Sequence, residues 1–140
     1  MVNLGEGLPG GKGAVTERVL VVEDNDLNRK LFCDLLRANG FIVEPVADGH
    51  EFIERAAAFD PHLVIMDIQL PNVSGISLIE SMKGDARLCA VPVLAVTAYA
   101  GKGDEDRIRT AGAEGYLSKP VSIQPFMAAV NALIDRRAAA

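Results

Sequence analysis

The stretch His62-Leu63-Val64-Ile65-Met66-Asp67 places four apolar residues directly before a carboxylate. A short apolar run of this kind is typical of a strand buried on both faces of a sheet, so residues 63–67 are predicted to form one. The segment Ile68-Gln69-Leu70-Pro71 follows and ends the run. In an open parallel sheet, ligands bind at the carboxyl ends of the strands. The stretch therefore predicts that Asp67 lies at the functional edge of such a sheet.

Similar apolar runs on either side of this stretch alternate with amphipathic segments. The predicted strands cover residues 19–23, 41–46, 63–67, 91–97 and 114–118. The predicted helices cover residues 26–38, a segment around 52–56, a segment from about 74, and residues 104–111 and 123–136. Strands that alternate with helices need crossover connections, which make the sheet parallel and cover both of its faces. The expected fold class is α/β, a doubly wound, flavodoxin-like, five-stranded parallel sheet of order 2-1-3-4-5 with five helices.

Two local patterns give finer expectations. In the first helix Leu27, Leu31 and Leu35 recur every four residues and are expected to form its buried face, with Gly40 ending the helix. Before the fourth helix, residues 100–103 include two glycines and are expected to form a mobile loop.

The composition is that of one globular domain. The chain has 140 residues, of which 49% are hydrophobic and 24% charged. Its net charge of -5 argues against nucleic acid as the main partner, because binding a phosphate backbone needs clustered Lys and Arg. No apolar run approaches the roughly 20 residues of a membrane span, and no secretory signal begins the chain. Cys33 and Cys89 lack metal-ligand spacing and are expected to be reduced thiols of a cytoplasmic protein. The protein is expected to be a monomer or a weak dimer.

The first 15 residues differ from the remainder in composition. They contain five glycines and show no periodicity, so they cannot bury enough apolar surface to offset the entropy of ordering. Residues 1–15 are therefore expected to be a disordered arm, and residues 16–140 a single domain.

Charged residues also end the first predicted strand. Glu23 and Asp24 close the first strand, which neighbours the third in the expected order, so both acids should approach Asp67. Three adjacent carboxylates repel one another unless a cation neutralises them. Oxygen ligands without His or Cys favour Mg²⁺. Taken singly, each acid has a plainer interpretation, as a helix cap or a surface turn residue.

Two further polar residues are expected at the same edge. Lys119 follows the fifth strand and is expected to pair with Asp67, although a solvated lysine is the commoner case. The next residue, Pro120, biases Lys119 towards an extended backbone and permits a cis peptide bond. Thr97 ends the fourth strand with a hydroxyl group, or is an ordinary β-branched strand residue. Beside Mg²⁺ and a lysine, a carboxylate can attack a phosphoryl group and form an acyl phosphate. The chain lacks the P-loop that would bind a nucleotide, so the phosphoryl donor must be something other than a nucleotide bound to this protein.

These residues, in this order, resemble the receiver domain of two-component response regulators. The resemblance covers residues 18–136, and its matching segments are Val21-Val22-Glu23-Asp24-Asn25, Met66-Asp67-Ile68-Gln69-Leu70-Pro71 with Gly75, Ala95-Val96-Thr97-Ala98 and Ser118-Lys119-Pro120. Residues 23–28 and 96–105 are similar to those of single-domain members from alphaproteobacteria. The resemblance implies the flavodoxin-like, or CheY-like, fold already expected.

The resemblance also implies a role for each site residue. Asp67 would be the phosphoacceptor, and the donor would be a phosphohistidine on a sensor histidine kinase or a histidine phosphotransfer protein. Asp67, Asp24 and the backbone carbonyl of Gln69 would bind Mg²⁺, with Glu23 close by. Lys119 would contact the phosphoryl group.

A switch is implied as well. Thr97 would swing towards the phosphoryl group and Tyr116 would rotate inward with it, which changes the surface of the fourth helix, fifth strand and fifth helix that binds a downstream protein target. Such a protein would catalyse only its own phosphorylation and dephosphorylation. Two departures stand out: Glu23 replaces the aspartate of many members, and Gln69 and Tyr99 occupy positions that bear on the lifetime of the acyl phosphate.

Three alternatives are weaker. A Mg²⁺-dependent phosphatase of haloacid-dehalogenase type needs a second aspartate two residues after the nucleophile, where this chain has Gln69. A receiver fragment of a hybrid kinase is disfavoured by the initial Met1 and the short tail. A phosphate-independent pseudo-receiver is disfavoured because the acids, Thr97 and Lys119 are all present.

Overall fold

A computed structural model describes residues 16–98 and 101–139, with Lys102 and residues 137–139 described by their backbone alone. The predicted disordered arm, residues 1–15, lies outside the described residues and stays a prediction. The strands are β1 (Arg18–Val22), β2 (Ile42–Val46), β3 (Leu63–Asp67), β4 (Val93–Thr97) and β5 (Gly115–Ser118). The helices are α1 (Asp26–Ala38), α2 (Phe52–Phe59), α3 (Gly75–Lys83), α4 (Lys102–Ala111) and α5 (Ile123–Ala139), with a 3₁₀ turn at Gly49–Glu51 before α2.

The sheet has the predicted topology. Its strand order is β2-β1-β3-β4-β5, and every neighbouring pair is parallel. The carboxyl ends of all five strands therefore meet at one edge of the sheet. This confirms the expected fold class and strand order.

Two apolar layers cover the sheet because successive side chains of a strand point to opposite faces. Leu20 and Val22 of β1 pack into a layer with α2, α3 and α4. Val19 and Val21 of the same strand pack into the other layer with α1 and α5. All five residues of β3 and of β4 are buried, as expected for strands covered on both faces.

Helix α1 has the predicted bounds but a different buried face. Leu27 and Leu31 have 76% and 48% of their surface exposed, so the predicted face is wrong for these two, whereas Leu35 is partly buried and packs against the core. The helix instead buries Phe32, Cys33 and Leu36, and the Phe32 ring stacks on Phe126 of α5 at 5.0 Å between centroids. A helix has 3.6 residues per turn, so residues spaced by four shift sideways around its axis at each step. Such a row therefore faces the core over only part of its length.

The helix α4 begins earlier than predicted. Lys102 and Gly103 are helical, so the expected loop is wrong for these two residues. Gly101 is the N-cap and precedes the helix, and Ala100 lies outside the described residues. Asp104 and Glu105 lie in the first turn, where carboxylates stabilise the positive end of a helix. The other predicted boundaries agree with the structure or differ from it by at most three residues.

Among the described residues, no helix is long and apolar enough to cross a membrane. Cys33 is buried, Cys89 is exposed, and neither forms a disulfide.

Candidate functional site

Three carboxylates meet at the carboxyl edge of β1 and β3. Val22 of β1 is in register with Met66 of β3, so the residues that follow them, Glu23 and Asp67, lie side by side. Glu23 is 1% exposed and Asp67 is 2% exposed, whereas Asp24 is exposed. Each of the three side chains offers an oxygen that lies within 4.8 Å of those of the other two. The structure thus brings together the acids that the sequence places at separate strand ends.

The turn after β1 leaves Asp24 at this site. The N-cap of α1 is Asn25, whose side-chain oxygen accepts a hydrogen bond of 2.9 Å from the backbone N–H of Asn28. Glu23 and Asp24 are therefore not the capping residues. The Arg29 guanidinium donates to the backbone carbonyls of both acids, at 2.9 Å and 3.2 Å, and thereby holds the turn.

Lys119 brings a positive charge to the two buried acids. Its Nζ lies 3.1 Å from Glu23 Oε1 and 3.5 Å from Asp67 Oδ1, so the predicted pair with Asp67 forms, together with an unexpected shorter one. Glu23 Oε1 is buried and, among the described residues, accepts no hydrogen bond of good geometry, so its contact with the ammonium group is electrostatic. The backbone of Lys119 donates to the Thr97 carbonyl at 2.7 Å, and the peptide bond to Pro120 is cis.

The pKa of Asp67 reflects an excess of negative charge. Burial, followed by a hydrogen bond to Glu23 and the charge of Glu23, raises the pKa of Asp67 to about 7. The Lys119 ammonium and the backbone N–H of Gln69 act in the opposite direction. One lysine therefore does not offset the cost of burying both carboxylates.

These residues fit a hard divalent cation such as Mg²⁺. The available ligands are carboxylate oxygens from Glu23, Asp24 and Asp67, and the exposure of Asp24 leaves room for the waters that Mg²⁺ retains. Within the part of the chain that the structure describes, Glu23 Oε1 is a buried acceptor without a directed donor. A cation would neutralise the repulsion that raises the pKa of Asp67.

Gln69 links the ends of β3 and β4 through its side chain. Its backbone N–H donates to Asp67 Oδ1 at 3.1 Å. Its side-chain Nε2 donates to Thr97 Oγ1 at 2.5 Å, and its Oε1 accepts from the Ala98 backbone N–H at 2.7 Å. The sequence predicted a role for the Gln69 carbonyl and a bearing of this position on acyl-phosphate lifetime. It did not predict the bridge, because a sequence pattern does not show where a flexible amide side chain points.

Thr97 and Tyr116 lie on the same face of the sheet. Thr97 is 1% exposed and lies two residues beyond Ala95, a member of the layer that packs against α2, α3 and α4. Tyr116 is half-buried and packs against the same layer. Burial, and then the charges of Glu105 and Asp104 on α4, raise the pKa of Tyr116. The two residues expected to form a switch therefore share one layer with α4.

Comparison with known proteins agrees with this geometry. The sequence profile of the response regulator receiver domain matches residues 19–131. The chain is 45% identical over 120 residues to the polar-differentiation response regulator DivK of Brucella ovis, a match that covers 86% of this chain and 98% of DivK.

Solved structures show the same fold. A CheY-like receiver domain protein from Methanospirillum hungatei JF-1 superposes with a TM-score of 0.82 at 24% identity, covering 88% of this chain and 97% of that one. The receiver domain of a sensor histidine kinase from Pseudomonas aeruginosa PAO1, solved with magnesium in its active-site cleft, has a TM-score of 0.79 at 30% identity, covering 86% and 99% of the two chains. The chain therefore belongs to the response regulator receiver domain family and is similar to DivK over nearly the whole of that protein.

Proposed function

We propose that this protein accepts a phosphoryl group on Asp67 from a phosphohistidine and thereby switches its binding to a downstream protein. The observation that carries the proposal is the convergence of Glu23, Asp24 and Asp67, within 4.8 Å, next to the Lys119 ammonium group. Buried carboxylates with a raised pKa and a nearby cation are typical of reactive sites rather than of structural ion pairs.

The transfer uses groups that are already in place. An Asp67 carboxylate oxygen attacks phosphorus and forms an O–P bond as the N–P bond to the donor histidine breaks; the histidine nitrogen keeps the electron pair and takes up a proton. Lys119 is positioned to pair with an oxygen of the transferred group, since its Nζ lies 3.5 Å from Asp67 Oδ1. A Mg²⁺ ion held by Glu23, Asp24, Asp67 and the Gln69 carbonyl would neutralise phosphoryl charge and keep Asp67 ionised.

The surface next to Lys119 suits a protein donor. Leu27 and Leu31 of α1 and Ile123 of α5 are exposed large apolar residues. A cleft of about 410 Å³ between α1 and the segment after β5 is lined by Leu31 and Lys119 among others. We propose that the donor, a sensor histidine kinase or a histidine phosphotransfer protein, packs apolar side chains here and presents its phosphohistidine to Asp67.

The output follows from the added charge. A phosphoryl group adds close to two negative charges at the end of β3. Thr97 carries a hydroxyl group at the end of β4, one residue beyond the register partner of Asp67. Tyr116 shares its layer of the sheet, so a movement of Thr97 would be transmitted towards α4. We propose that α4, β5 and α5 form the surface that binds the downstream target. Both kinds of partner would be met in the cytoplasm.

The family match favours this role over a phosphatase of haloacid-dehalogenase type. The amide Gln69 stands where such an enzyme needs a second aspartate, and its side chain bonds to β4 instead of facing a leaving group. We propose that the protein acts on no phosphate ester beyond its own acyl phosphate.

The proposal is tested by labelling with a small phosphodonor such as acetyl phosphate in the presence of Mg²⁺. Wild type should take up one phosphoryl group per chain, and the Asp67→Asn variant should take up none. Asp48→Asn is the matched control, because Asp48 is exposed and its capping of the 3₁₀ turn is retained by asparagine. Full labelling of Asp67→Asn, or multiple turnover of a phosphate ester by wild type, would contradict the proposal.

A further inference from the structure

The Gln69 side chain bonds two groups at the end of β4, beside the phosphoryl site: the Ala98 N–H as a donor and the Thr97 hydroxyl oxygen as an acceptor. Its Oε1 accepts from the Ala98 backbone N–H at 2.7 Å, and its Nε2 donates to Thr97 Oγ1 at 2.5 Å. Both ends of one amide are thus bonded to consecutive residues at the end of β4. Thr97 is 1% exposed, so the amide and the hydroxyl meet out of bulk solvent, where their bonds are stronger.

A phosphoryl group on Asp67 would draw on the same two groups, the Ala98 N–H and the Thr97 hydroxyl. It carries three strong acceptor oxygens. Around Asp67 Oδ1 the structure shows the Gln69 N–H at 3.1 Å and the Lys119 Nζ at 3.5 Å. Asp67 is in register with Val96 of β4, so Thr97 and Ala98 are the next residues along that strand end. The amide oxygen of Gln69 already accepts from Ala98, as a phosphoryl oxygen would.

We propose that the Gln69 carboxamide is a latch that holds Thr97 and Ala98 in the unphosphorylated arrangement and must be released when Asp67 is phosphorylated. The inference rests on the function proposed above and concerns the regulation of that same site. Gln69 acts through Thr97 and Ala98, so it is a positioning residue, and it sets how strongly the unphosphorylated form competes with the phosphorylated one.

A cavity next to Gln69 can accommodate its side-chain amide after release. A cavity of about 150 Å³ lies between the site and α4, and its lining includes Gln69, Thr97, Ser74, Asp104 and Arg107. The polar side chains of the last three can bond a displaced amide, so release of the latch does not leave it without partners. The cavity also gives the phosphorylated state a defined position for Gln69.

The test compares wild type with Gln69→Met, which has nearly the same size and cannot form either bond. Beryllofluoride serves as the phosphoryl mimic, its binding is followed by fluorine NMR at saturating Mg²⁺, and the affinity for Mg²⁺ alone is measured separately. Because the released amide regains partners in the cavity, the latch amounts to about one net hydrogen bond, and its loss should lower the apparent Kd for beryllofluoride by about three- to tenfold. The Kd for Mg²⁺ alone is measured because the proposed function places the Gln69 backbone carbonyl on that ion; at saturating Mg²⁺ a change in it does not alter the Kd for the mimic.

The matched control is Gln124→Met, since Gln124 is the other glutamine of the chain and lies exposed on α5. It should change neither affinity. Damage to the site would weaken the binding of both Mg²⁺ and beryllofluoride, whereas loss of the latch tightens the binding of beryllofluoride. Gln69→Asn provides a second variant: its amide is one methylene too short to bridge Thr97 and Ala98, and it should shift the Kd in the same direction.

The outcomes separate the two proposals. If wild type binds no beryllofluoride in the presence of Mg²⁺, the proposed function fails and the latch with it. If wild type binds the mimic and neither Gln69 variant binds it more tightly, the latch alone is overturned.

Discussion

Glu23 and Asp67 are two carboxylates buried next to one lysine, and this imbalance determines how the site behaves. Lys119 lies within 3.1 Å and 3.5 Å of them but supplies only a single positive charge. The remaining repulsion favours uptake of a proton or of a cation. At neutral pH the choice between the two depends on whether a divalent ion is present.

This imbalance predicts a distinctive dependence of stability on pH in the absence of divalent ions. Folded Asp67 keeps its proton up to a pKa of about 7, whereas the unfolded chain loses it near the ordinary value of 3.8. Between these values the folded state binds more protons, so the contribution of Asp67 to the free energy of unfolding falls as pH rises from about 4 to 7, and is fully present below that window.

The measurement is thermal unfolding in a chelator across this pH range, for wild type and Asp67→Asn. The difference in free energy of unfolding, wild type minus variant, should fall with rising pH and level off above about 7. Saturating Mg²⁺ should stabilise wild type at neutral pH and stabilise the variant much less. A difference that is flat with pH would show that Asp67 is not protonated in the folded state.

At this scale the sequence predicted part of the site. Asp67, Thr97 and Lys119 could be placed because each residue ends or follows an apolar strand, and parallel strands bring these ends together. The Gln69 bridge to Thr97 could not be predicted, since it depends on the side-chain torsions of one flexible amide. The sequence also did not predict that Lys119 lies closer to Glu23 than to Asp67, because that depends on the torsions of the lysine side chain.

At the scale of elements, helix α3 packs unusually close to the end of β3. Ser74 caps the helix, and the first helical residue, Gly75, donates its N–H to the Ile68 carbonyl at 3.1 Å. A Cβ atom on Gly75 would collide with the Asp67 carbonyl oxygen and lie 2.7 Å from Ile68 Cα. This glycine therefore allows the helix to approach the peptide that carries Asp67.

Gly75→Ala should destabilise the protein by about 1–3 kcal/mol because the helix or the strand end must shift. The matched control is Gly103→Ala in α4, where an added Cβ meets no atom of the described residues within 4 Å and glycine is a poor helix former. That change should stabilise the protein by about 0.5–1 kcal/mol. Denaturant unfolding measures both, and equal effects of the two substitutions would refute the close approach.

The exposed leucines of α1 lead to a second prediction at this scale. Leu31→Ser should slow transfer from a phosphorylated histidine protein at least several-fold, because the change removes apolar surface beside Lys119. Labelling by acetyl phosphate should be unchanged, since that donor is too small to contact α1. Ile42→Ser is the control, as Ile42 is also half exposed but lies on the edge strand β2. A similar loss with both donors would place the defect in the reaction itself.

The elements were predicted more reliably than their orientation. Alternating apolar runs and amphipathic segments indicated every strand and helix, because burial on both faces requires continuous apolar strands. The buried face of α1 was missed because Phe32, Cys33 and Leu36 form a less regular pattern than the leucines. Stacking of Phe32 on Phe126 depends on a contact between distant parts of the chain.

At the scale of the whole molecule, the site and α4 are connected through one apolar layer. Thr97 ends a strand of this layer, Tyr116 packs against it, and Asp104 and Glu105 of α4 act on the pKa of Tyr116. A change at Asp67 therefore has a physical route to a surface on the far side of β4. The route connects residues that are separated in sequence but share one face of the sheet.

Tyr116→Ala should leave phosphorylation of Asp67 intact but reduce the structural response of α4 and β5. Labelling by acetyl phosphate should be close to wild type, because β4 lies between Asp67 on β3 and Tyr116 on β5. Amide hydrogen exchange in α4 and β5 should respond to beryllofluoride in wild type and respond much less in the variant. An unchanged response in Tyr116→Ala would show that another residue transmits the signal.

The most direct test of the account locates the acyl phosphate itself. After incubation with acetyl phosphate and Mg²⁺, reduction with borohydride converts a phosphorylated aspartate to homoserine, which peptide mass spectrometry can locate. The account predicts homoserine at residue 67 alone, and none when Mg²⁺ is replaced by a chelator. Modification at Asp24 or Glu23 instead, or equal modification of residue 67 without a divalent ion, would contradict a cation-assisted acceptor site at Asp67.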